Sequence, residues 1–205
     1  MTYPDNVTAF KDLILGIAAC VGMVVAIVGL RTWNRQLKGG VEYELARRLL
    51  RQTFRLRDAI KDVRYHTLTY ERVQAKEGEP PLGREDSEYR GLVLAYEGRW
   101  GKLVAVHSDL QTDLIEGEVV WGDAVHQKFK SLLALVEELG SAIRAYLASS
   151  NPSLDPETRG LYSDMLAKKR DVMYDTSDFQ RNEYTEEIKL ALAETEQYLR
   201  PKLDR

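Results

Sequence analysis

The strongest feature of the hydropathy pattern is an uncharged run of 18 residues, "LILGIAACVGMVVAIVGL", from Leu13 to Leu30. At 1.5 Å per residue it makes a helix of roughly 27 Å, close to the thickness of a bilayer's hydrocarbon core. A helix in the core of a water-soluble domain shows polar positions every third or fourth residue, and this run has none. A cleaved signal peptide carries cations before its apolar stretch and small residues after it. Here Lys11 is offset by Asp5 and Asp12, whereas Arg31, Arg35 and Lys38 follow the run. The expectation is a transmembrane helix over 13–30.

Beyond the run, the spacing of apolar residues is helical. Tyr89, Val93, Tyr96, Trp100, Leu103, His107, Leu110 and Leu114 alternate spacings of four and three, as do Val125, Phe129, Leu132, Val136, Leu139, Ile143 and Tyr146. Two such seams joined by a short break predict antiparallel neighbours in a bundle or coiled coil. An earlier helix has the narrow seam Val41, Leu45, Leu49, Leu56, Ile60 and Val63. Breaks are expected at Gly39-Gly40, 77–86, 116–123 and 149–157. Asp155-Pro156 reads as an N-cap followed by proline at the first helical position, opening a short helix to about Lys169. A last helix is expected from about Phe179 to Leu199, ended by Pro201. With no alternating strand pattern, the fold class is all-α: one N-terminal transmembrane helix, then a cytoplasmic helical bundle with long coiled-coil-like helices. The expected divisions are an extracytoplasmic tail (1–12), the span (13–30), a basic juxtamembrane helix (31–76) and a cytoplasmic helical domain (77–205).

Charge gives the span a direction. Lys and Arg flanking a span stay on the cytoplasmic side, and Arg31, Arg35, Lys38, Arg47 and Arg48 all follow it. The expected topology is single-pass, N-out and C-in, with Phe10 and Trp33 as interfacial aromatics. The formal net charge of −3 conceals a division: +6 over residues 1–76, −6 over 77–154 and −3 over 155–205. The sole cysteine, Cys20, lies within the run, so no disulfide framework is available.

Arg47, Arg48, Arg51 and Arg55 fall within about 100° of arc on one helix, away from its apolar seam. Two readings stand. One is a positive-inside flank that touches anionic lipid. The other is an anion or nucleic-acid site, formed when several copies place these arginines around a shared axis. Small residues suggest self-association: Ala18, Gly22 and Ala26 repeat every fourth position in the span, and Gly91, Ala95, Gly98 and Ala105 form a comparable strip on the helix after residue 86. A kink near Gly98 to Gly101 is the competing reading of that strip.

Signatures of catalysis are sparse. His107 lies on a helix seam as a core residue would. Asp123 and His126, at i and i+3, have the spacing of half a bundle metal site, but the second such pair that a centre needs has no counterpart. "GRWGK" at 98–102 lacks the spacing and hydroxyl of a phosphate loop. Glu137-Glu138 and Glu186-Glu187 read as solvated faces. Neither an enzyme, a cofactor nor a metal site is expected.

Residues 32–64, "TWNRQLKGGVEYELARRLLRQTFRLRDAIKDVR", with the closing "EEIKLALAETEQYLRPKL", resemble small bacterial proteins that carry one N-terminal span and a helical cytoplasmic domain. In outline the chain is also similar to the membrane effectors of Hailong-type anti-phage systems. That resemblance implies a homo-oligomeric channel in the bacterial inner membrane, gated by an oligonucleotide from a nucleotidyltransferase partner. The alternative is a passive anchor presenting a helical protein-interaction domain. A pore would have to be a hydrophobic, dewetting constriction, since the span has no polar stripe.

Overall fold

A computed structural model describes residues 3–65, 82–174 and 182–204, except for the side chains of 3–14, 17–19 and 34. The described residues form five helices and no strand: α1 (Tyr3–Val63), α2 (Arg84–Trp121), α3 (Ala124–Ser149), α4 (Pro156–Ala167) and α5 (Glu183–Leu203). The all-α expectation therefore holds. The chain divides into two units between Glu44 and Leu45.

The N-terminal unit is the first part of α1. Its side chains from Cys20 to Trp33 are all exposed, with Leu30 and Met23 each at 65 %. Among the described residues no helix is long and apolar enough to cross a membrane. Five side chains of the Leu13 to Leu30 run, at 13, 14 and 17–19, lie outside the described ones. The break expected at Gly39-Gly40 is absent, and α1 continues through both glycines, although each costs roughly 1 kcal/mol relative to alanine in a helix interior.

In the second unit, Leu45, Leu49, Leu56, Ile60 and Val63 of α1 enter the core as their seam predicts, and Ala46 joins them. Val41 is instead 53 % exposed. The hydroxyl of the fully buried Thr53 donates to the Leu49 carbonyl at 2.8 Å, which satisfies it within its own turn.

α2 and α3 form the antiparallel hairpin that their seams predict. Near the turn the buried Gly117 lies against Val125, and farther along Trp100 lies against Gly140. The rings of Tyr96 and Tyr146 then meet edge to face, with centroids 5.8 Å apart. The break is shorter than the expected 116–123, because α2 runs on to Trp121. Gly122 makes the turn with φ +75°, a conformation that favours glycine. No break interrupts α2 at Gly98 to Gly101. Its buried stripe also includes Leu92, Val106 and Gly117, so it is rotated slightly from the expected aromatic seam.

Asp155 caps α4 as expected, accepting from the Thr158 amide at 2.8 Å, with Pro156 at the start of the helix. α5 begins at Glu183, capped by Asn182, and continues past Pro201. The proline removes the amide that would bond the Gln197 carbonyl, and the helix runs only two residues beyond it. The expected start at Phe179 lies outside the described residues.

The end of α1 is fastened by Arg64, only 2 % exposed. Its Nε donates to the Val172 carbonyl at 2.8 Å and its Nη1 to Thr185 Oγ1 at 2.8 Å. Nη2 reaches the Tyr174 carbonyl at 2.9 Å and Asn182 Oδ1 at 3.3 Å. One guanidinium thus joins α1, the segment after α4 and the cap of α5. Its face lies 4.8 Å from the centroid of the buried Tyr184 ring, whose hydroxyl donates to the Leu135 carbonyl of α3.

Arg64→Met keeps an unbranched apolar stem but strips these acceptors of their donors. It should cost about 2–4 kcal/mol of unfolding free energy, measured by urea denaturation in mild detergent; an unchanged midpoint would contradict this role. Adding a Cβ at Gly140 would place it 2.8 Å from the Trp100 ring, whereas at Gly160 it would meet nothing within 4 Å. Gly140→Ala should therefore destabilise the chain, while Gly160→Ala should stabilise it by about 1 kcal/mol. Equal effects in the same denaturation would refute the Trp100 contact.

Candidate functional site

The structure separates the four arginines of α1. Arg48 lies against acidic side chains of α2, with Nε 3.2 Å from Asp113 and Nη2 paired with Glu116. Arg55 reaches Asp109 on the same helix at 3.4 Å, and its Nη1 donates to Gln52 at 3.0 Å. The face facing α2 is thus bound up in charge pairs between helices. Arg47 and Arg51 are exposed.

Burial shapes the acids that receive these cations. The Asp113 carboxyl titrates above its usual range because burial penalises its charge; Arg48 counteracts this, and neighbouring Glu116 and Asp109 reinforce it. Arg48 therefore helps keep a crowded carboxylate ionised.

The small residues also separate. Gly22 and Ala26 are exposed on α1, and a Cβ at Gly22 would meet nothing within 4 Å. The Ala18 side chain lies outside the described ones. On α2 the strip divides: Gly91 is buried in the protomer and Ala95 half-buried, while Gly98 and Ala105 are exposed.

A further cluster was not expected. Arg170 bonds Glu138 of α3 through Nε at 3.0 Å and Nη2 at 2.7 Å, and Glu187 of α5 through Nη1 at 2.5 Å and Nη2 at 2.8 Å. Its guanidinium lies over the Tyr184 ring, 5.4 Å from the ring centroid. The hydrogen bond from Arg170 holds Glu187 below the usual carboxylate range. These groups line an open cleft between α3 and α5 with Ser131, Leu190 and Glu194. Its one cation already holds two carboxylates, so the arrangement serves as an inter-helix brace. The acid pairs 137–138 and 186–187 are thus more than solvated faces: one member of each is recruited, a role that depends on the fold placing Arg170 between them.

His126 Nδ1 lies 3.6 Å from Glu118, and Asp123 accepts from Gln127. Among the described residues no group of three potential ligands is arranged for a metal ion. Neither a protein-family model, a curated protein nor a solved structure matches the chain.

The Arg48 contact makes a pH-dependent prediction. A carboxyl whose folded pKa is raised opposes folding when ionised, and that penalty fades as the pH falls through the raised value. Removing Arg48 should raise it further. Arg48→Met should therefore lose more thermal stability near pH 7.5 than near pH 5, where more of Asp113 is protonated. Equal losses at the two pH values would contradict the coupling.

Proposed function

We propose that the chain is a membrane-anchored, oligomeric effector: the start of α1 spans the bacterial inner membrane N-out and C-in, and the helical domain binds an anionic signal that gates the assembled spans. The observation that carries this reading is the uncovered helix surface. From Cys20 to Trp33 every side chain is exposed, and the sequence is uncharged from Leu13 to Leu30. Fully burying each large apolar side chain is worth about 1.5–3 kcal/mol, and lipid is the solvent that covers a helix apolar on all sides. The open faces of Gly22 and Ala26 support close packing of spans.

For the signal, we propose the exposed Arg47 and Arg51 of the helical domain. A short oligonucleotide suits several such positions repeated about an axis, as does the proposed nucleotidyltransferase partner that would make it. The engagement of Arg48 and Arg55 by α2 favours the second reading, a passive anchor presenting the helical domain. No enzymatic role enters either reading.

The two readings separate in a binding experiment on the full chain in neutral detergent, using short single-stranded oligonucleotides. The effector reading expects binding that weakens as salt rises and falls about tenfold or more in Arg47→Glu/Arg51→Glu with helicity retained. Absence of oligonucleotide binding at low salt, with anionic-lipid binding retained in reconstituted vesicles, would support the anchor.

A further inference from the structure

Opposite its core stripe, α2 carries a second seam. It starts at Leu94, which is 56 % exposed, and ends with Ile115 and Val119, at 64 % and 84 %. Between them Gly98, Gly101 and Ala105, then Ser108 and Thr112, continue the same alternation of four and three, and all five are exposed. No position in this seam is charged, although 30 % of the chain is. Each of its members lies two residues from a position on or beside the buried stripe, a rotation of about 200°. The two faces are thus back to back.

We propose that this seam pairs α2 with α2 of a second copy, parallel and in register, as a short coiled coil. A seam at this spacing is the footprint of a straight or slightly supercoiled partner helix. Gly98 and Gly101 have nothing within 4 Å of an added Cβ, so the partner backbone can approach closely there. The branched and leucine side chains at the ends supply apolar area, and the hydroxyls of Ser108 and Thr112 tolerate a mixed environment.

Charge selects a copy of the same helix and its direction. Taking Gly98, Ala105, Thr112 and Val119 as the a positions, Glu97 occupies a g position and Lys102 the following e position. In a parallel pair, Glu97 of each copy faces Lys102 of the other, giving two symmetry-related attractions. In an antiparallel pair centred on the seam, Glu97 would instead approach Glu118 of the other copy. The remaining e-position acids, Asp109 and Glu116, already have Arg55 and Arg48 as intramolecular partners. The arginines of α1 therefore quiet the flank of the seam from within each protomer. This proposal does not depend on the nature of the signal or on oligonucleotide binding.

The test uses the full chain in mild detergent, with Cys20→Ser as background. Ala105→Cys should cross-link to itself under mild oxidation, because equivalent a positions face each other in a parallel pair. Glu97→Lys should weaken this by about tenfold through loss and reversal of two ion pairs, and Glu97→Lys/Lys102→Glu should restore it. Gly101→Glu should abolish the cross-link with helicity unchanged. Failure of Ala105→Cys to cross-link above a Lys130→Cys control on α3 would overturn the proposal, whether the seam is left uncovered or covered from within the chain. Cross-linking only in a mixture of Ala105→Cys and Ser108→Cys would show the antiparallel pair and overturn the assigned direction. Lack of rescue by the charge swap would remove the charge argument.

Discussion

Apolar surface that the chain does not cover for itself is the constraint on which the account depends. It occurs in two geometries. From Cys20 to Leu30 of α1 it surrounds the helix, so a partner on one side would leave the rest in water. On α2 it is a narrow seam with a charged residue on either flank, narrow enough for one further helix to cover. At roughly 25 cal/mol per Å², neither surface is held in water without cost. The geometry of each carries the cover we propose for it: lipid for the first, a second α2 for the second.

Arginine performs four different tasks according to its surroundings. Arg64 is buried among carbonyl, hydroxyl and amide oxygens and ties together the ends of three segments. Arg170 bridges α3 to α5 through two carboxylates, and with Arg64 it bounds the Tyr184 ring. Arg48 and Arg55 hold α1 to the acidic flank of α2. Arg47 and Arg51 are exposed, and in the proposed reading they receive the anionic signal. Charge pairs at partly exposed positions contribute little each; the buried and bidentate contacts of Arg64 and Arg170 are the stronger fastening.

Local signals in the sequence disclosed much of the architecture. The apolar periodicity of α1, α2 and α3, the Asp155-Pro156 start and the α2–α3 hairpin follow from residues a few positions apart. Gly39-Gly40 misled as a break, because glycine lowers helix stability without forbidding the backbone conformation. The roles of Arg64 and Arg170 depend on acceptors at Val172, Thr185, Glu138 and Glu187, which sequence spacing does not bring together. Arg48 and Arg55 shared a helical face with Arg47 and Arg51, yet that face meets acidic α2 at one side only. The second seam of α2 was partly visible as Gly98 and Ala105, but Ser108 and Thr112 disguise it in a pattern read by hydrophobicity alone.

The central claim is that lipid covers the first part of α1. Alkaline carbonate extraction of membranes from bacteria producing the full chain tests this most directly, since the treatment strips proteins held by charge or by protein partners. The account predicts that the chain stays with the membrane pellet. It also predicts that Val24→Lys, which places a charge in the middle of the uncharged run, shifts a substantial share into the supernatant. Complete release of the unaltered chain into the supernatant would contradict it.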